Sequence, residues 1–365
     1  MALVNFGRQA ASTIANFIYG AVDALQRDRK ILASMRSKGL ITYGHGGTET
    51  RWQVKYQQGT LSPYDGSMTF VPVDRWTYAT LGWGGYKATD AIQERERLQN
   101  KGKPALIKVY QDMGKRLKED LEEQFPAQIL ISDGNAAGSE LAISGIETFL
   151  SISGQEAGDG APVGVNNDTY AGISTAGGAL GGTWSEDATG DYIWPLGTGP
   201  TSFDAWRPLV VLFDSTKFSS ASPSWKNNCE EALNFGITHA HRNGKSKNLD
   251  MVLLWRDGYR QFKDVMTAKQ RINISTNMPM YELGFKDMFN YEGIEIGTDF
   301  DVPNNKGYGV PTSSMELQSL NDDVLFRVRD EFDLGSDSHR FACDMQGQLI
   351  CESIRNFVQW RPITL

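Results

Sequence analysis

The sequence predicts a mixed α+β fold, on the evidence of three patterns along the chain. Residues 50–86 alternate between aromatic and polar side chains around a polar turn, which is typical of a long two-stranded ribbon. Residues 103–125 repeat apolar side chains every three or four positions, which is typical of one long helix. Beyond residue 281 the chain becomes a series of short strand-like segments, so neither an all-helical nor an all-β fold fits.

An amphipathic helix over residues 8–38 is the first predicted element. Apolar side chains, among them Phe17, Leu25 and Leu32, recur on one face at helical spacing, and Gly39 follows as a stop signal. The other face is rich in Lys and Arg but is interrupted by acidic residues, which favours an ordinary solvated surface. A basic face for nucleic acid or for a membrane is the alternative that this pattern leaves open.

The ribbon is the most informative element of the sequence. Trp52 and Tyr56 fall on one face of the strand 51–56, residues 69–78 form the return strand, and the region 58–68 holds the Gly and Pro residues that reverse a chain. A two-stranded ribbon is only marginally stable in water, so it must lie on its own body or on another subunit. Of these two, we favour another subunit.

The long helix is expected to begin near Lys103 and to end at Phe125. Pro104 fits the first turn, whereas Pro126 lacks a backbone donor and disfavours helix in the residue before it. Residues 129–132 would then form a short apolar segment that is closed by a turn. Oppositely charged side chains four residues apart cover the helix, so its outer face is expected to be solvated.

The rest of the chain combines short strands with two further helices. A Gly-rich stretch over 151–200 predicts irregular or short-stranded structure. The other elements predicted from periodicity are strands at 209–213 and 249–255, helices at 224–242 and 259–272, a hairpin over 283–299 that turns at 291–293, and terminal strands at 324–328, 340–345 and 348–358. A turn at 346–348 would place Cys343 opposite Cys351 on paired strands.

Composition limits the class of protein. The chain has 365 residues, of which 40% are hydrophobic and 22% charged, and these values are ordinary for a globular protein. A formal net charge of -8 argues against a protein whose main task is to grip a phosphate backbone. Three widely spaced cysteines favour reduced thiols, and we expect a soluble protein made inside the cell because no signal peptide or membrane-spanning run is recognisable.

Motifs for chemistry are weak. Residues 243–246 end like a phosphate-binding loop, but His239 stands where the motif needs its first glycine. Residues 172–176 approach the nucleophile elbow of a serine hydrolase around Ser174, but Ala176 replaces the last glycine. The four histidines lack the spacing of a zinc site. We therefore expect no catalytic residue, no cofactor and no metal, and a hydrolase that uses Ser174 is a remote alternative.

In element order and in local motifs, the chain resembles the major capsid proteins of tailed phages with the HK97-type fold. Arg29–Gly47, followed by Trp52–Tyr56, is similar to the N-terminal arm that enters the extended loop of that family, and 103–125 is similar to its spine helix. Its turn and strand signatures are similar to Ser132-Asp133-Gly134, Ser144-Gly145-Ile146 and Asn167–Ile173. Together these segments cover most of the chain.

The resemblance implies a division of the chain into five parts. These are an N-terminal arm over 1–49, an extended loop over 50–86, a peripheral domain over 87–205 with the spine helix 103–125 and the Gly-rich segment 151–200, an axial domain over 206–321, and C-terminal strands over 322–365 that return to the peripheral domain.

The resemblance also implies a structural protein without enzymatic activity. It would self-assemble, in the cytoplasm of the host, into the hexamers and pentamers of an icosahedral phage head that encloses double-stranded DNA. The implied partners are further copies of the chain, a separate scaffolding protein, a portal and a decoration protein, with weak nonspecific contact to DNA and none to a membrane. An encapsulin-like nanocompartment shell is the alternative, because the same fold also builds such shells.

The residues implied to contact neighbouring subunits come from the loop and from the arm. In the loop they are Arg51, Trp52, Lys55, Tyr56, Tyr64, Asp65, Phe70, Asp74, Arg75 and Trp76. In the arm they are Phe17, Leu25, Arg29 and Leu32. Some members of the family cross-link a loop lysine to an asparagine, but residues 57–68 hold no lysine, so we do not expect covalent cross-linking.

Overall fold

The structure is a computed structural model that describes most of the chain. The described residues are 29–57, 70, 72, 74–99, 109–139, 141–156, 160–177, 180–186, 192–196, 205–241, 249–268, 288–322 and 325–364. The predicted arm helix before Arg29, the tip of the ribbon and the first turns of the long helix lie outside these residues. The predicted contacts that also lie outside them are Phe17, Leu25, Tyr64 and Asp65.

Helices and strands both contribute to the fold, as the sequence predicts. The α-helices are α1 (Lys30–Ser37), α2 (Glu94–Gln99), α3 (Val109–Ile131), α4 (Trp225–Ala240) and α5 (Arg256–Ala268). The strands are β1 (Ile41–Thr42), β2 (Glu49–Lys55), β3 (Trp76–Gly82), β4 (Gly84–Gln93), β5 (Ile152–Gln155), β6 (Gly164–Asn166), β7 (Thr169–Tyr170), β8 (Ile173–Ser174), β9 (Thr183–Glu186), β10 (Tyr192–Leu196), β11 (Leu209–Leu212), β12 (Met251–Leu254), β13 (Phe289–Tyr291), β14 (Ile294–Thr298), β15 (Gly307–Val310), β16 (Met315–Ser319), β17 (Arg327–Asp333), β18 (Ser338–Cys351) and β19 (Val358–Arg361).

A six-stranded sheet forms one half of the molecule, in the order β11-β19-β15-β12-β14-β13. Strands β11, β19, β12 and β14 run in one direction, and β15 and β13 run against them. Every residue of β11 and of β12 is buried, which is why both read as unbroken apolar runs in the sequence. Helix α4 packs on β11 and β19, where the Trp360 indole donates a hydrogen bond to the Ala232 carbonyl.

A five-stranded sheet forms the other half, in the order β1-β16-β18-β17, with β4 on the free edge of β18. Helix α3 lies across β4, β17 and β18. The sequence prediction of two strands and a turn at 346–348 is wrong, because β18 runs unbroken from Ser338 to Cys351. Gly347 permits close approach here instead of a turn, since a Cβ at that position would collide with the Gln318 carbonyl oxygen. Cys343 and Cys351 therefore lie on one strand, and both are buried free thiols.

The long helix passes through Pro126 and ends at Ile131, so the predicted end at Phe125 is also wrong. Proline in a helix interior costs about 3 kcal/mol, chiefly through a lost backbone hydrogen bond. Continuing the helix keeps Ile129 on the same buried stripe as Phe125 and also buries Leu130. Because each such side chain contributes about 1.5–3 kcal/mol on burial, together they outweigh the proline. The predicted apolar segment 129–132 is therefore mainly the last turn of α3.

The predicted strand 348–358 is interrupted by a 3₁₀-helix at Ile354–Asn356, whereas three other predicted features agree with the structure in the described residues. Helix α1 ends as predicted before Gly39, which has a φ of +66°, and the Leu40 amide closes the turn on the Met35 carbonyl at 2.9 Å. Strands β13 and β14 form the predicted hairpin around Glu292 and Gly293, both of which have positive φ. The described parts of the Gly-rich stretch form three two-stranded hairpins, β5-β6, β7-β8 and β9-β10.

The two sheets cross the predicted boundary between the axial domain and the C-terminal strands. Strand β16, at Met315–Ser319, lies in the five-stranded sheet, although it precedes the predicted boundary at residue 321. Strand β19, at Val358–Arg361, lies inside the six-stranded sheet between β11 and β15, although it belongs to the terminal segment. Each half of the molecule is therefore completed by a strand from the other side of that boundary.

Candidate subunit-contact surface

The base of the predicted ribbon is present, and its first strand has the predicted alternation. The return strand is Trp76–Gly82 instead of 69–78, because the described residues 70, 72, 74 and 75 lie outside any strand. Strands β2 and β3 pair antiparallel from Glu49 opposite Gly82 to Lys55 opposite Trp76. Side chains of β2 alternate between exposed and covered positions along the strand. The ribbon therefore has an inner face towards the rest of the chain and an outer face towards solvent.

The inner face packs on the body of the same chain. The Trp52 ring lies 6.3 Å from the Tyr170 ring and 6.4 Å from the Trp206 ring, measured between centroids. Opposite it, Ala79 is fully buried, and the Thr80 amide donates a hydrogen bond to the Ala171 carbonyl at 2.9 Å. These aromatic contacts of Trp52 are made within the chain, and its contact with a neighbour stays a prediction.

The outer face carries two uncovered aromatic side chains. Trp76 is 51% exposed and Tyr78 is 63% exposed. Across the ribbon, the Lys55 ammonium lies 5.8 Å from the centroid of the Trp76 ring, and the Gln53 amide donates to the Tyr78 hydroxyl at 3.3 Å. Arg51 continues this row and forms an ion pair with Glu49. The outer face is thus a strip of aromatic surface lined by cationic side chains.

The described part of the ribbon ends at a small polar neck. The Tyr56 amide donates to the Arg75 carbonyl at 3.1 Å, one step beyond the last ladder pair. The pKa of the Tyr56 phenol is raised, first by desolvation and then by the neighbouring Asp74 carboxylate. Just beyond the neck, Phe70 is 88% exposed. These contacts hold the two strands together where the ribbon leaves the described structure.

The described arm residues make contacts within the chain. Leu32 is 5% exposed and belongs to the hydrophobic core. The Arg29 guanidinium forms an ion pair with Asp301 and donates to the Glu123 carbonyl. Both residues were interpreted from the sequence as contacts with a neighbour. In the structure they attach α1 to the body of the same chain, and their contact with a neighbour stays a prediction.

The structure places Ser174 outside a nucleophile elbow. It lies on the two-residue strand β8, opposite Thr169 in a hairpin, whereas the elbow needs a turn from a strand into a helix. Its hydroxyl accepts a hydrogen bond from the Ala176 amide at 3.2 Å. Across the described residues, no group of three or more His, Cys, Asp or Glu side chains is arranged to hold a metal ion. None of the helices described is both long and apolar enough to cross a membrane.

A second set of exposed apolar side chains lies along the β17-β18 hairpin and on the neighbouring helix α2, and sequence reasoning missed it. We call it the distal patch, and its members are Leu98, Val328, Phe332 and Leu334. Leu334, at the tip of the hairpin, is 86% exposed. Helix α2 is held beside the hairpin because the Glu94 amide donates to the Asp337 carbonyl at 2.9 Å and its carboxylate lies 3.0 Å from the His339 ring.

The ribbon and the distal patch account for most of the exposed apolar side chains. With Phe70, Trp76 and Tyr78, the distal patch makes up seven of the eleven large hydrophobic side chains that are exposed in the described residues. Concentration of exposed apolar surface in two places is typical of surfaces that bind other proteins. The alternation of apolar and charged residues over 327–333 was the available sequence signal, but it does not reveal which face stays uncovered.

Comparison with known proteins identifies the fold. No family model matches the sequence, and no curated protein matches it either. Among solved structures, a chain of the Cyanophage A-1(L) capsid asymmetric unit matches with a TM-score of 0.58 and 16% identity, covering 96% of this chain and 98% of that one. A capsid chain of an empty GTA particle matches with a TM-score of 0.54, 8% identity and 98% coverage of both chains.

A third capsid structure agrees with these two. The capsid of Myoviridae Phage XM1 matches with a TM-score of 0.51 and 9% identity, covering 97% of both chains. All three matches run over nearly the full length of both proteins. The chain therefore has the fold of phage capsid proteins, and the HK97-type fold predicted from the sequence is confirmed.

Proposed function

We propose that this chain is the major capsid protein of a tailed phage, and that its copies assemble into the hexamers and pentamers of an icosahedral head around double-stranded DNA. The observation that carries the proposal is the uncovered outer face of the ribbon, with Trp76 and Tyr78 side by side. The end-to-end match with capsid folds supports it, because that match covers 96% of this chain and 98% of the capsid chain.

In the proposed assembly, the outer face of one ribbon packs on the next copy around a ring. Such a head-to-tail contact uses two different surfaces of the same chain, and a closed ring satisfies every copy. Trp and Tyr each bury about 150–250 Å² in a contact of this kind, so they supply most of its apolar area. The cations Arg51 and Lys55 then fix the register of the contact between the two copies and add little to its binding free energy, because exposed ion pairs contribute little.

The distal patch of the next copy is the acceptor that we propose for this face. Asp330 lies between Val328 and Phe332 on β17, so the patch combines apolar surface with negative charge. An apolar and acidic patch complements an aromatic and cationic ribbon. Arg75, Asp74 and Tyr56, at the neck, would stay close to the rim of this contact.

The remaining partners follow from the same proposal. A separate scaffolding protein, a portal and a decoration protein would act with the shell during assembly in the host cytoplasm. Contact with the packaged DNA would be weak and nonspecific, since the chain carries a net charge of -8. Covalent cross-linking of the shell is not part of the proposal.

A pair of matched variants tests the role of the outer face. In the chain co-expressed with its neighbouring genes, Trp76→Ser combined with Tyr78→Ser should abolish shells in negative-stain micrographs while the purified subunit keeps the wild-type circular dichroism spectrum. The control is Tyr43→Ser, which removes another exposed aromatic side chain from outside the ribbon and should leave shells unchanged. Wild-type numbers of particles from the double variant would contradict the proposed role.

A second measurement tests the function itself. Wild-type particles should be closed, icosahedral and filled with DNA that resists nuclease when packaging genes are present. Particles that hold an enzyme in place of DNA would instead support the nanocompartment alternative. If the wild-type chain stays a monomer under every one of these conditions, the proposed function is wrong.

A further inference from the structure

Helix α1 lies between the two halves of the molecule. It has eight residues, Lys30–Ser37, and three of its apolar side chains are buried, namely Ile31, Leu32 and Met35. An isolated helix of two turns is not stable in water, so α1 owes its structure to the surfaces on either side. Those surfaces belong to different sheets, and this position is what gives α1 a role of its own.

The six-stranded sheet holds α1 at both ends. At the start of α1, Arg29 pairs with Asp301, the Lys30 amide donates to the Asp299 carboxylate at 3.1 Å, and the Lys30 ammonium donates to the Thr298 carbonyl. At the end of α1, Lys38 pairs with Asp250.

These two anchor points lie at opposite ends of the neighbouring strands β12 and β14 of the six-stranded sheet. Asp250 immediately precedes β12, whereas Thr298 ends the parallel strand β14, opposite Leu254 at the end of β12. Eight helical residues span about 12 Å, and a four-residue strand spans about 13 Å. The length of α1 therefore matches the distance between its anchors, and the helix runs antiparallel to β12.

The other half of the molecule holds the same segment. The Arg29 guanidinium donates to the Glu123 carbonyl on α3, the helix that covers the five-stranded sheet. Directly after α1, the Leu40 carbonyl accepts from the Leu317 amide at 2.9 Å, and β1 continues as a parallel neighbour of β16. A third contact, between Arg36 and Glu122 at 3.9 Å, is exposed. Arg29 is thus the one side chain in this set that joins α3 to the loop after β14.

We propose that α1 is a strap that fixes the orientation of the two sheets relative to each other, and that it opens as a unit when its anchor at Arg29 is released. Two turns of helix form a small cooperative unit, whereas β12 and β14 are held by neighbouring strands on both sides. The strap therefore opens before the sheets unfold.

The strap does not depend on the proposed function. If the chain is a capsid protein, the strap sets the angle between the two halves of each subunit. If the chain has another function, the strap is still a property of the single folded chain. The experiments below use the full-length unassembled protein, so a failure of shell assembly and a failure of the strap give different results.

Native-state hydrogen exchange measures the opening of the strap directly. In the wild-type chain under increasing denaturant, amides of α1 and of Leu40 should exchange by an opening that needs less denaturant than the opening of β12 and β14. Asp301→Asn keeps the shape of the partner but removes its charge, and it should raise exchange in α1 by about tenfold or more while β12 and β14 stay at wild-type rates. The matched control Arg36→Gln removes the exposed pair and should change exchange by less than about twofold.

A distance measurement tests whether the strap fixes the orientation of the two sheets. Spin labels at Lys115→Cys on α3 and Lys263→Cys on α5 report the separation of the two halves, and both native side chains are exposed. The three native cysteines are buried, so labelling is selective. Asp301→Asn should broaden the distribution of distances between the labels, and Arg36→Gln should not.

Two results would overturn the proposal that α1 is a strap. The first is that α1 in the wild-type chain exchanges only together with β12 and β14, a result that needs no variant to fold. The second is that the distribution of distances stays narrow in Asp301→Asn although α1 has become exchangeable. In the first case α1 is no separate unit, and in the second it does not hold the sheets.

Discussion

Replacing Asp168 by Asn should stabilise the protein at neutral pH. Asp168 lies between β6 and β7, and its carboxylate accepts a hydrogen bond from the Ser151 amide at 2.6 Å. The pKa of Asp168 is raised from 3.8 to about 6, chiefly by burial; the hydrogen bond from the Ser151 amide opposes this rise, and the carboxylates of Asp133 and Glu147 add to it. Asn keeps an oxygen that can accept from Ser151 but carries no charge. The substitution therefore removes a charge that the fold disfavours.

The sign and the size of this effect follow from proton linkage. Because the pKa is raised in the folded state, the folded chain binds more protons than the unfolded chain between about pH 4 and pH 6. The free energy of unfolding therefore falls as the pH rises through this window. A difference of about 2 in pKa corresponds to about 3 kcal/mol at 1.36 kcal/mol for each pH unit. Since Asp168 is partly exposed, solvent screening reduces this to about 1 kcal/mol.

Urea denaturation of the unassembled chain at two pH values measures the effect. At pH 7.5, Asp168→Asn should have a free energy of unfolding about 1 kcal/mol above that of the wild type, and near pH 4 the two should agree. The matched control is Asp264→Asn on the exposed face of α5, where a pair with Arg260 contributes only a few tenths of a kcal/mol. If Asp168→Asn is less stable than the wild type at pH 7.5, or if its advantage is the same at both pH values, the reasoning about this carboxylate is wrong.

Two further substitutions test close packing and buried charge. Gly145→Ala should lower the free energy of unfolding by about 1–3 kcal/mol in urea denaturation, because its Cβ would lie 2.5 Å from the Gln128 carbonyl oxygen. The control Gly46→Ala, whose Cβ would meet no described atom within 4 Å, should change it by less than about 0.5 kcal/mol, and equal effects would refute the steric argument. Arg207→Met should lower the midpoint of thermal unfolding and cost about 3–5 kcal/mol, because it leaves the Glu156 carboxylate without its buried partner, and a neutral result would contradict this.

The elements that the sequence predicted best are those whose pattern depends on local burial alone. Strands β11 and β12 are covered on both faces, so each reads as an unbroken apolar run whatever its neighbours in the sheet are. The start of the ribbon was predictable for the same reason, since alternation in β2 follows from one covered and one open face. Such patterns are written in four to seven consecutive residues and need no knowledge of distant partners.

The predictions that failed used local signals that distant contacts overrule. Pro126 and Gly347 are both strong breakers in a sequence, yet each lies inside a regular element. At Pro126, the buried stripe of α3 outweighs one lost hydrogen bond. At Gly347, the missing side chain allows the backbone of β16 to approach closely, and the neighbouring sequence does not predict that approach. The same limit explains β19, whose place between β11 and β15 depends on strands that are far away in the chain.

The contact of the named ribbon residues with a neighbouring subunit stays a prediction, and the structure shows on which face of the ribbon each of them lies. Lys55 and Trp76 were named from the sequence and lie on the outer face, whereas Trp52 was named with them and lies on the inner face. Alternation separates the two faces of a ribbon but does not tell which of them the chain covers itself. The answer depends on Tyr170 and Trp206, which are more than one hundred residues away and pack on Trp52.

In the proposed shell, this division of the ribbon would give each subunit a base that is fixed within the chain and an outer face that stays uncovered until a neighbour binds. Trp52 ties the base of the ribbon to Tyr170 and Trp206, so the ribbon leaves the body at a set angle without help from a neighbour. Trp76 and Tyr78 then stay uncovered, held by cross-strand contacts to Lys55 and Gln53. A surface that is already ordered loses less conformational entropy on binding, so a modest contact area can suffice. In the proposed shell, Trp52 would therefore set the direction of the ribbon, and Trp76 and Tyr78 would supply the attraction.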